Sequence, residues 1–365
     1  MRRLVILVLI AVAVSACGDG GRDQSADRSP PSTTTSTLPS TTTAAPTTTS
    51  TLPPTTTTSL PVPEASTVVD LLALDRPVVA GHAGGDRSYP HSTMYGFVEA
   101  ALAGVDVLEM DVQLTEDGVL VVQHDDTVDA TTEATGRVRD LTIAELQALD
   151  NGYWWSTEWR SQTQPEEAYV WRGVRTGDVD PPEGYSAEDF KVETFAAIAE
   201  RFPDHVLDVE LKVPRGENDE PDLGFATAGA QVLAATIAEL DLTERVIVTS
   251  FSADVMTAFR EFAPDVATSP SEAETFAWYL GAGELHPNDV VAQVPPTFGD
   301  IDVLAPDIIE RVDAEGLEIW VWPNDSDNQE NGDFYADVIA RGADGIIAGR
   351  PAEAVDRYRA DGLIP

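Results

Sequence analysis

Residues 105–126 of this 365-residue chain read VDVLEMDVQLTEDGVLVVQHDD. Two apolar, β-branched runs, 105–111 and 119–124, indicate buried strands. The turn sequence Thr-Glu-Asp-Gly at 115–118 lies between them, and this connection is too short for a crossover helix. The two runs are therefore predicted to pair antiparallel as a hairpin.

The hairpin predicts a cluster of polar side chains. Glu109 and Asp111 share one face of the first strand, because alternate residues of a strand point the same way. Counting back from the turn places His124 close to both carboxylates. One histidine and two carboxylates are thus expected at one place.

The rest of the chain from residue 67 alternates short strands with amphipathic helices, a pattern typical of βαβ units and a parallel sheet. Eight such strands favour a closed (β/α)8 TIM barrel, with its chemistry at the carboxyl ends of the strands. A doubly wound open sheet is the alternative, but no glycine-rich dinucleotide turn follows the first strand. The candidate strands are 77–81, 105–111, 206–212, 245–250, 265–269, 290–294, 318–322 and 345–348.

Polar residues with complementary chemistry fall at the ends of these strands. Three carboxylates could form an oxygen cage for one hard divalent cation, Ca²⁺ or Mg²⁺. Two histidines could serve as general base and general acid, and a lysine could neutralise phosphoryl oxygens. Singly, each residue could instead belong to a solvated strand edge, a turn or a structural ion pair. The residues are His82, His124, Glu109, Asp111, Glu210 and Lys212.

Longer motifs resemble the glycerophosphodiester phosphodiesterase family. The resemblance covers nearly the whole folded region and is densest between residues 78 and 150. The matching stretches are VVAGHAG (78–84), LEMDVQLTEDG (108–118), VVQHDD (121–126), TGRV (135–138), ELK (210–212), SF (250–251) and DGII (344–347).

The resemblance implies a (β/α)8 barrel that hydrolyses glycerophosphodiesters to sn-glycerol 3-phosphate and an alcohol, usually with Ca²⁺ or Mg²⁺. His82 and His124 match the catalytic histidines of the family. The metal ligands of the family correspond to Glu109, Asp111 and Glu210 in this chain. The phosphate-contacting lysine of the family corresponds to Lys212. Trp320 and Trp322 are similar to a tryptophan beside the glycerol site, and we assign that role to Trp322.

The chain departs from the family pattern at two places. The family has arginine after its first histidine, where this chain has Ala83, and Glu-Asn-Thr where this chain has His91, Ser92 and Thr93. Alanine cannot replace a bidentate guanidinium contact to phosphate. We expect His91 to act as a replacement contact to substrate, with a plain surface histidine as the alternative.

The segment 151–191 is unusually long for a connection in a compact domain. It is rich in aromatic residues, which either cover a substrate pocket or pack a small core of their own. Both interpretations stay open. The aromatic residues are Tyr153, Trp154, Trp155, Trp159, Tyr169, Trp171 and Tyr185.

The first 66 residues predict export and tethering. Residues 1–17 combine Arg2 and Arg3, a short apolar run and Val-Ser-Ala-Cys, which resembles a lipoprotein signal ending at Cys17. Residues 18–66 are rich in Ser, Thr and Pro, which predicts a disordered tether. The catalytic domain is predicted to span 67–365 at the outer face of the membrane or in secreted form.

The composition narrows the class of partner. The 63 acidic and 22 basic residues give a formal net charge of −41, which disfavours nucleic acid and anionic membrane surfaces. Contact with the membrane is expected only through the anchor at Cys17. Besides the leading function, a sphingomyelinase D-like phospholipase and a non-catalytic binding lipoprotein on the same fold remain as alternatives.

Overall fold

The computed structural model describes residues 59–158, 161–216 and 218–365. The predicted signal segment with Cys17, the predicted tether up to residue 58, and Trp159 lie outside the described residues. The chain is already packed before residue 67, because Leu60 contacts the main core and Ala65 is buried. The folded part therefore reaches into the last residues of the predicted tether.

Eight parallel strands form a nearly closed barrel in the described part of the chain. Around the barrel they follow the order β6-β5-β4-β2-β1-β11-β10-β7, and a bridge between Thr268 and Asp289 joins the two ends. All eight predicted strands are confirmed, and the (β/α)8 barrel is the observed fold. Three further short strands, β3, β8 and β9, lie outside the set of eight. The described strands are β1 (Val78–Gly81), β2 (Val107–Leu114), β3 (Leu120–Val122), β4 (Val206–Leu211), β5 (Val246–Thr249), β6 (Ala267–Thr268), β7 (Val291–Val294), β8 (Thr297–Phe298), β9 (Ile301–Asp302), β10 (Glu318–Val321) and β11 (Gly345–Ala348).

Helices cover the outside of the barrel, and several begin at a side-chain cap that satisfies a free backbone N–H. Thr93, Thr194 and Ser252 each accept a hydrogen bond from the backbone N–H three residues later. Among the described helices, none is both long enough and apolar enough to cross a bilayer. The helices are α1 (Val68–Leu71), α2 (Met94–Ala103), α3 (Ile143–Ala148), α4 (Phe195–Arg201), α5 (Leu223–Glu239), α6 (Ala253–Phe262), α7 (Glu272–Tyr279), α8 (Pro306–Glu315), α9 (Ser326–Gln329), α10 (Gly332–Ala340) and α11 (Pro351–Ala360).

Strand alternation separates the outer core from the barrel interior. On β2, Leu108 and Met110 join the core beneath the helices, whereas Val107 faces a second core inside the barrel. Val68 and Leu71 of α1 belong to that inner core and close the amino end of the barrel. The interior is therefore apolar at the amino ends of the strands, which leaves the carboxyl ends for polar groups.

The predicted hairpin is confirmed. β3 pairs antiparallel with β2, with Val112 opposite Val122 and Leu114 opposite Leu120. Gln123 N–H donates to the carbonyl of Asp111 at 3.0 Å, which continues the pairing by one residue. The next residue, His124, consequently lies beside Asp111.

The long segment before β4 packs a core of its own. The Trp171 and Phe190 rings pack against Tyr95, each with its centroid 4.9 Å from that of Tyr95. The guanidinium of Arg172 lies over the rings of Tyr153, Trp154 and Tyr169 at 4.2 to 4.5 Å. None of the described aromatic residues of this segment lines the large cavity, described below, that contains His82 and His124. Of the two interpretations, the small core is the one observed, and it includes Tyr95 of α2.

Candidate active site

Four carboxylates face one another across the β2–β4 ladder. Its register places Glu109 opposite Asp208 and Asp111 opposite Glu210. All four point into the barrel, because they alternate with the apolar residues that form the outer core. Two layers of paired acidic groups therefore lie toward the carboxyl end of the barrel.

A cavity of about 290 Å³ opens over these layers. Six of the predicted site residues line it. Asp111 is buried and does not line the cavity, but it forms an ion pair with Lys212, which does. The structure thus brings the two predicted histidines, the three predicted carboxylates and the predicted lysine to the same end of the barrel. The six lining residues are His82, Glu109, His124, Glu210, Lys212 and Trp322.

Each histidine of the cavity is paired with a carboxylate through Nδ1. His82 Nδ1 lies 3.1 Å from Asp86 Oδ1, and His124 Nδ1 lies 2.7 Å from Asp125 Oδ1. Burial alone would lower the pKa of His82, but the charges of Asp86, Glu109 and Asp111 outweigh it and raise that pKa well above its usual value. The His82 ring therefore holds its proton strongly next to so many carboxylates.

The turn after β1 connects the His82 loop to Glu109. Ala83 has φ 45° and ψ 35°, a left-handed conformation that costs a non-glycine residue about 1–2 kcal/mol. Its N–H donates to Glu109 Oε2 at 2.8 Å. Burial nevertheless raises the pKa of Glu109 well above its usual value, because His82 and the Ala83 N–H compensate only part of the cost.

Lys212 bridges the two acidic strands. Its Nζ lies 2.9 Å from Glu210 Oε1 and 3.2 Å from Asp111 Oδ1. Burial by itself would lower the pKa of Lys212, yet the two carboxylates raise it. Although burial acts in the opposite direction, the charge of Lys212, aided by His124 and His82, holds the pKa of Asp111 below its usual value. Lys212 is therefore a fixed cation at the edge of the cavity.

The donor chemistry of the site fits a hard cation, although the side chains do not form a ready-made cage. Among the described residues, no three His, Cys, Asp or Glu side chains surround one point in a metal-binding arrangement. Asp111 Oδ2 is nevertheless buried without a hydrogen-bond partner in the described part of the chain. Lys212 supplies one positive charge to the four carboxylates of the two strands, and buried carboxylates need compensating charge. Carboxylate oxygens are also the ligands that Ca²⁺ and Mg²⁺ prefer.

Two further carboxylates, Asp208 and Glu330, lie at the site but were not predicted from the sequence. Asp208 accepts a hydrogen bond from Gln293 Nε2 at 2.8 Å, and burial raises its pKa to about 7. The signal was present, because Asp208 lies two residues before Glu210 and shares its face of β4. Burial also raises the pKa of Glu330, which lines the cavity, to about 7. Glu330 follows α9 in a loop that showed no recognisable pattern.

His91 does not reach the main cavity. It is buried and lines a separate small pocket with Trp155 and Asn151. Burial alone would raise the pKa of Asp86, but the charges of His82 and then His91 lower it. His91 therefore lies behind Asp86, and the expected direct contact with substrate is not supported by its position.

Trp320 and Trp322 have separate environments. Trp320 is fully buried in the inner core, and its Nε1 donates to Glu318 Oε2 at 2.8 Å. Trp322 lines the cavity and contacts Phe251 edge to face, with ring centroids 6.2 Å apart. Of the two tryptophans, Trp322 is the one placed to contact a ligand.

Comparison with known proteins identifies relatives of this chain. The profile described as "Glycerophosphoryl diester phosphodiesterase family" matches residues 82–353. A glycerophosphodiester phosphodiesterase of Caldanaerobacter subterraneus is 26% identical over 294 residues, covering 79% of this chain and 100% of the relative. A glycerophosphodiester phosphodiesterase from Agrobacterium tumefaciens has a similar fold, with a TM-score of 0.55, 22% identity, and coverage of 76% and 99%. An Oleispira antarctica phosphodiesterase, solved with the product sn-glycerol-3-phosphate, gives a TM-score of 0.54 at 18% identity and covers 78% of this chain and 97% of its own.

Proposed function

The chain belongs to the glycerophosphoryl diester phosphodiesterase family, and on this premise we propose that it hydrolyses glycerophosphodiesters to sn-glycerol 3-phosphate and an alcohol. One observation carries the proposal beyond family membership. Two histidines, each paired with a carboxylate, share a cavity with Lys212 and an excess of acidic groups. General acid–base groups beside a fixed cation are what phosphodiester cleavage requires.

The proposed cofactor is one divalent cation, Ca²⁺ or Mg²⁺. Glu109, Asp111 and Glu210 would hold it, supported by the unpartnered Asp111 Oδ2 and the raised pKa of Glu109. Such an ion would supply positive charge to the substrate phosphate and offset the acidic excess. Binding would compete with Lys212 for the oxygens of Asp111 and Glu210.

The proposed mechanism uses the glycerol hydroxyl of the substrate as the first nucleophile. One histidine removes the hydroxyl proton, the new P–O bond closes a cyclic phosphate, and the bond to the alcohol breaks. The other histidine protonates the leaving alkoxide, and water then opens the ring to give sn-glycerol 3-phosphate. We assign the proton transfers to the Nε2 atoms, since Nδ1 of each ring faces a carboxylate.

Lys212 and Trp322 have binding roles in this proposal. The ammonium of Lys212 would neutralise negative charge that grows on the phosphoryl oxygens in the transition state. The Trp322 ring would pack against the glycerol moiety at the mouth of the cavity. The family position held by arginine is Ala83 here, so Lys212 carries more of the phosphate contact.

Release of choline from glycerophosphocholine by the intact chain tests the function. Protein stripped with EDTA should be inactive, and added Ca²⁺ or Mg²⁺ should restore turnover. His82→Ala should abolish the restored activity, whereas His286→Ala, which alters an exposed histidine outside the cavity, should retain it. Full activity in EDTA would contradict the cation. Full activity of His82→Ala would contradict the assigned site.

Sphingomyelin separates this function from the rival phospholipase. We expect no turnover of sphingomyelin, because the family match and the curated relative are both glycerophosphodiester phosphodiesterases. Cleavage of sphingomyelin at a rate comparable to that of glycerophosphocholine would favour the rival.

Export and anchoring remain part of the proposal for residues outside the described range. A lipid-bearing Cys17 would hold the enzyme at the outer face of the membrane. Labelled palmitate should enter the native chain and not Cys17→Ser, and equal labelling of both would contradict the anchor.

A further inference from the structure

The cavity has a second, apolar half that the proposed chemistry does not use. The same cavity is lined by the outer face of β7 and by residues of helices α7 and α8, which form a crevice. We call this part the apolar crevice. Its walls are Ala292, Val294, Ile308, Val312, Leu317 and Ile319.

Strand alternation explains why the crevice is apolar. Gln293 points into the barrel and donates to Asp208, so its neighbours Ala292 and Val294 face outward toward the helices. At the far end, Trp278 Nε1 donates to Glu315 at 2.9 Å, and Arg311 donates to the Trp278 carbonyl at 3.1 Å. These bonds join α7 to α8 on the side of the crevice formed by the helices.

Exposed aromatic residues mark the open end. Phe251, Phe276 and Phe298 line the cavity while 54%, 37% and 38% exposed, respectively. The rings of Phe276 and Phe298 are 6.0 Å apart, so they form one continuous apolar rim. Exposed apolar surface that leads into a pocket marks a ligand-binding groove.

A small polar diester would leave this half unused, because glycerol, phosphate and an amino alcohol offer little hydrocarbon. We propose that the apolar crevice binds the hydrocarbon chain of the substrate, and that the substrate class is a glycerophosphodiester carrying one long chain, as in lysophospholipids. This inference rests on the proposed function. The net charge of −41 disfavours docking on an anionic lipid surface, and the proposed occupant is the chain of a single substrate molecule.

The chain itself takes no part in the reaction. The phosphorus–oxygen bond to the departing alcohol breaks, the oxygen of water ends on phosphorus, and a proton of that water ends on the alcohol. With a 1-acyl substrate, one glycerol hydroxyl remains available for the first step. The product is then an acylated glycerol phosphate.

A chain-length series tests the inference. The value of kcat/KM for choline release should be compared between glycerophosphocholine and its 1-hexanoyl, 1-octanoyl and 1-decanoyl derivatives, below micelle-forming concentrations. We expect a rise with chain length of at most about fourfold for each CH₂ group buried, followed by a plateau. Derivatives of glycerophosphoethanolamine acylated on nitrogen, assayed by release of glycerol 3-phosphate, place the chain on the alcohol side. A gain with these derivatives and none with the 1-acyl series would overturn the lysophospholipid class.

A matched pair of variants assigns the effect to the crevice. Phe298→Ser should cut the ratio of kcat/KM for the decanoyl substrate to that for the unacylated one by about tenfold, because exposed rim contact is lost. Phe262→Ser removes an aromatic residue of similar exposure, 42%, that does not line the cavity. This control should leave the ratio unchanged.

The outcomes separate the inference from the function on which it rests. If glycerophosphocholine is cleaved but chains bring no gain, the inference is wrong and the function stands. A gain that appears only above the micelle threshold indicates binding to a lipid surface and overturns the inference. If no substrate is cleaved, the function fails. Calorimetry with dodecylphosphocholine then tests whether the apolar crevice binds a hydrocarbon chain. Binding that Phe298→Ser weakens would support the inference, and absence of binding would overturn it.

Discussion

The two halves of the cavity are built by opposite means. In the charged half, side chains on β2 and β4 and just after β1 and β4 hold one another by hydrogen bonds and ion pairs, such as those of Lys212 with Asp111 and Glu210. In the apolar crevice, Val312 and Ile319 offer only shape and hydrocarbon. The charged half suits bond breaking, and the apolar half suits the choice of substrate. Changes in the first should alter kcat, and changes in the second should alter preference.

The largest effect is expected from removing a histidine of the charged half. His82→Ala should lower kcat on glycerophosphocholine by about 10²–10⁴-fold, the usual contribution of a general acid or base. Circular dichroism should show an intact fold, because His82 lies about 30% exposed at the cavity wall. If kcat fell less than tenfold, the proton-transfer role would be wrong.

Loss of one carboxylate should weaken the cation rather than the fold. Glu109→Gln keeps the shape and can still accept from the Ala83 N–H, but it removes the charge. The concentration of Ca²⁺ or Mg²⁺ that gives half-maximal activity should rise at least about 10–100-fold. An unchanged metal requirement, measured beside Glu99→Gln as a carboxylate outside the cavity, would exclude Glu109 as a ligand.

A smaller effect on kcat is expected from changing Asp86, the carboxylate paired with His82. Asp86→Asn removes a charge that raises the pKa of His82, so that pKa should fall and kcat should drop about tenfold. An NMR titration of the His82 ring measures the pKa directly. An unaltered pKa together with lower activity would mean that Asp86 acts on the loop and not on the ring.

The smallest effect concerns a carboxylate away from both halves. Burial raises the pKa of Glu318 from its ordinary 4.5 to about 7, despite the hydrogen bond from Trp320 Nε1. The folded state then binds a proton more tightly than the unfolded state, so stability falls as pH rises from about 4.5 to about 7. Glu318→Gln removes this loss. The free energy of unfolding of the variant, relative to that of the native chain, should be about 1–3 kcal/mol higher at pH 8 than at pH 4. We expect kcat to change little.

Urea denaturation at the two pH values measures that difference. Equal stability differences at both would show that Glu318 does not titrate in this window. A large fall in kcat would show that the amino end of the barrel is coupled to the site, and it would contradict the placement of Glu318 away from both halves of the cavity.

The charged half was predictable because its residues come in short motifs. Glu109-x-Asp111 and Glu210-x-Lys212 each place two groups on one face of a strand, and the Thr-Glu-Asp-Gly turn fixes where His124 lies. Asp208 obeys the same alternation and was overlooked. Glu330 reaches the cavity only through tertiary packing of a loop, for which local sequence offers no signal.

The apolar crevice could not be predicted from the sequence. Its walls come from β7, α8 and β10, and each member looks like an ordinary core residue in its own segment. Whether such residues fill space or line it depends on the distance between helices, which periodicity does not encode. For His91 the error was to predict a site residue where there is none in the main cavity. Its place in a loop gave no sign of the small separate pocket that encloses it.

The measurement that most directly tests the assignment is ³¹P NMR of glycerophosphocholine turnover by the intact chain with Ca²⁺ or Mg²⁺. The account predicts that the diester resonance is replaced by that of sn-glycerol 3-phosphate, and that His82→Ala leaves it unchanged. Appearance of phosphocholine would mean that the bond to glycerol is cleaved, and it would contradict the assigned reaction. Persistence of the diester in the native protein with either cation would contradict the assigned function.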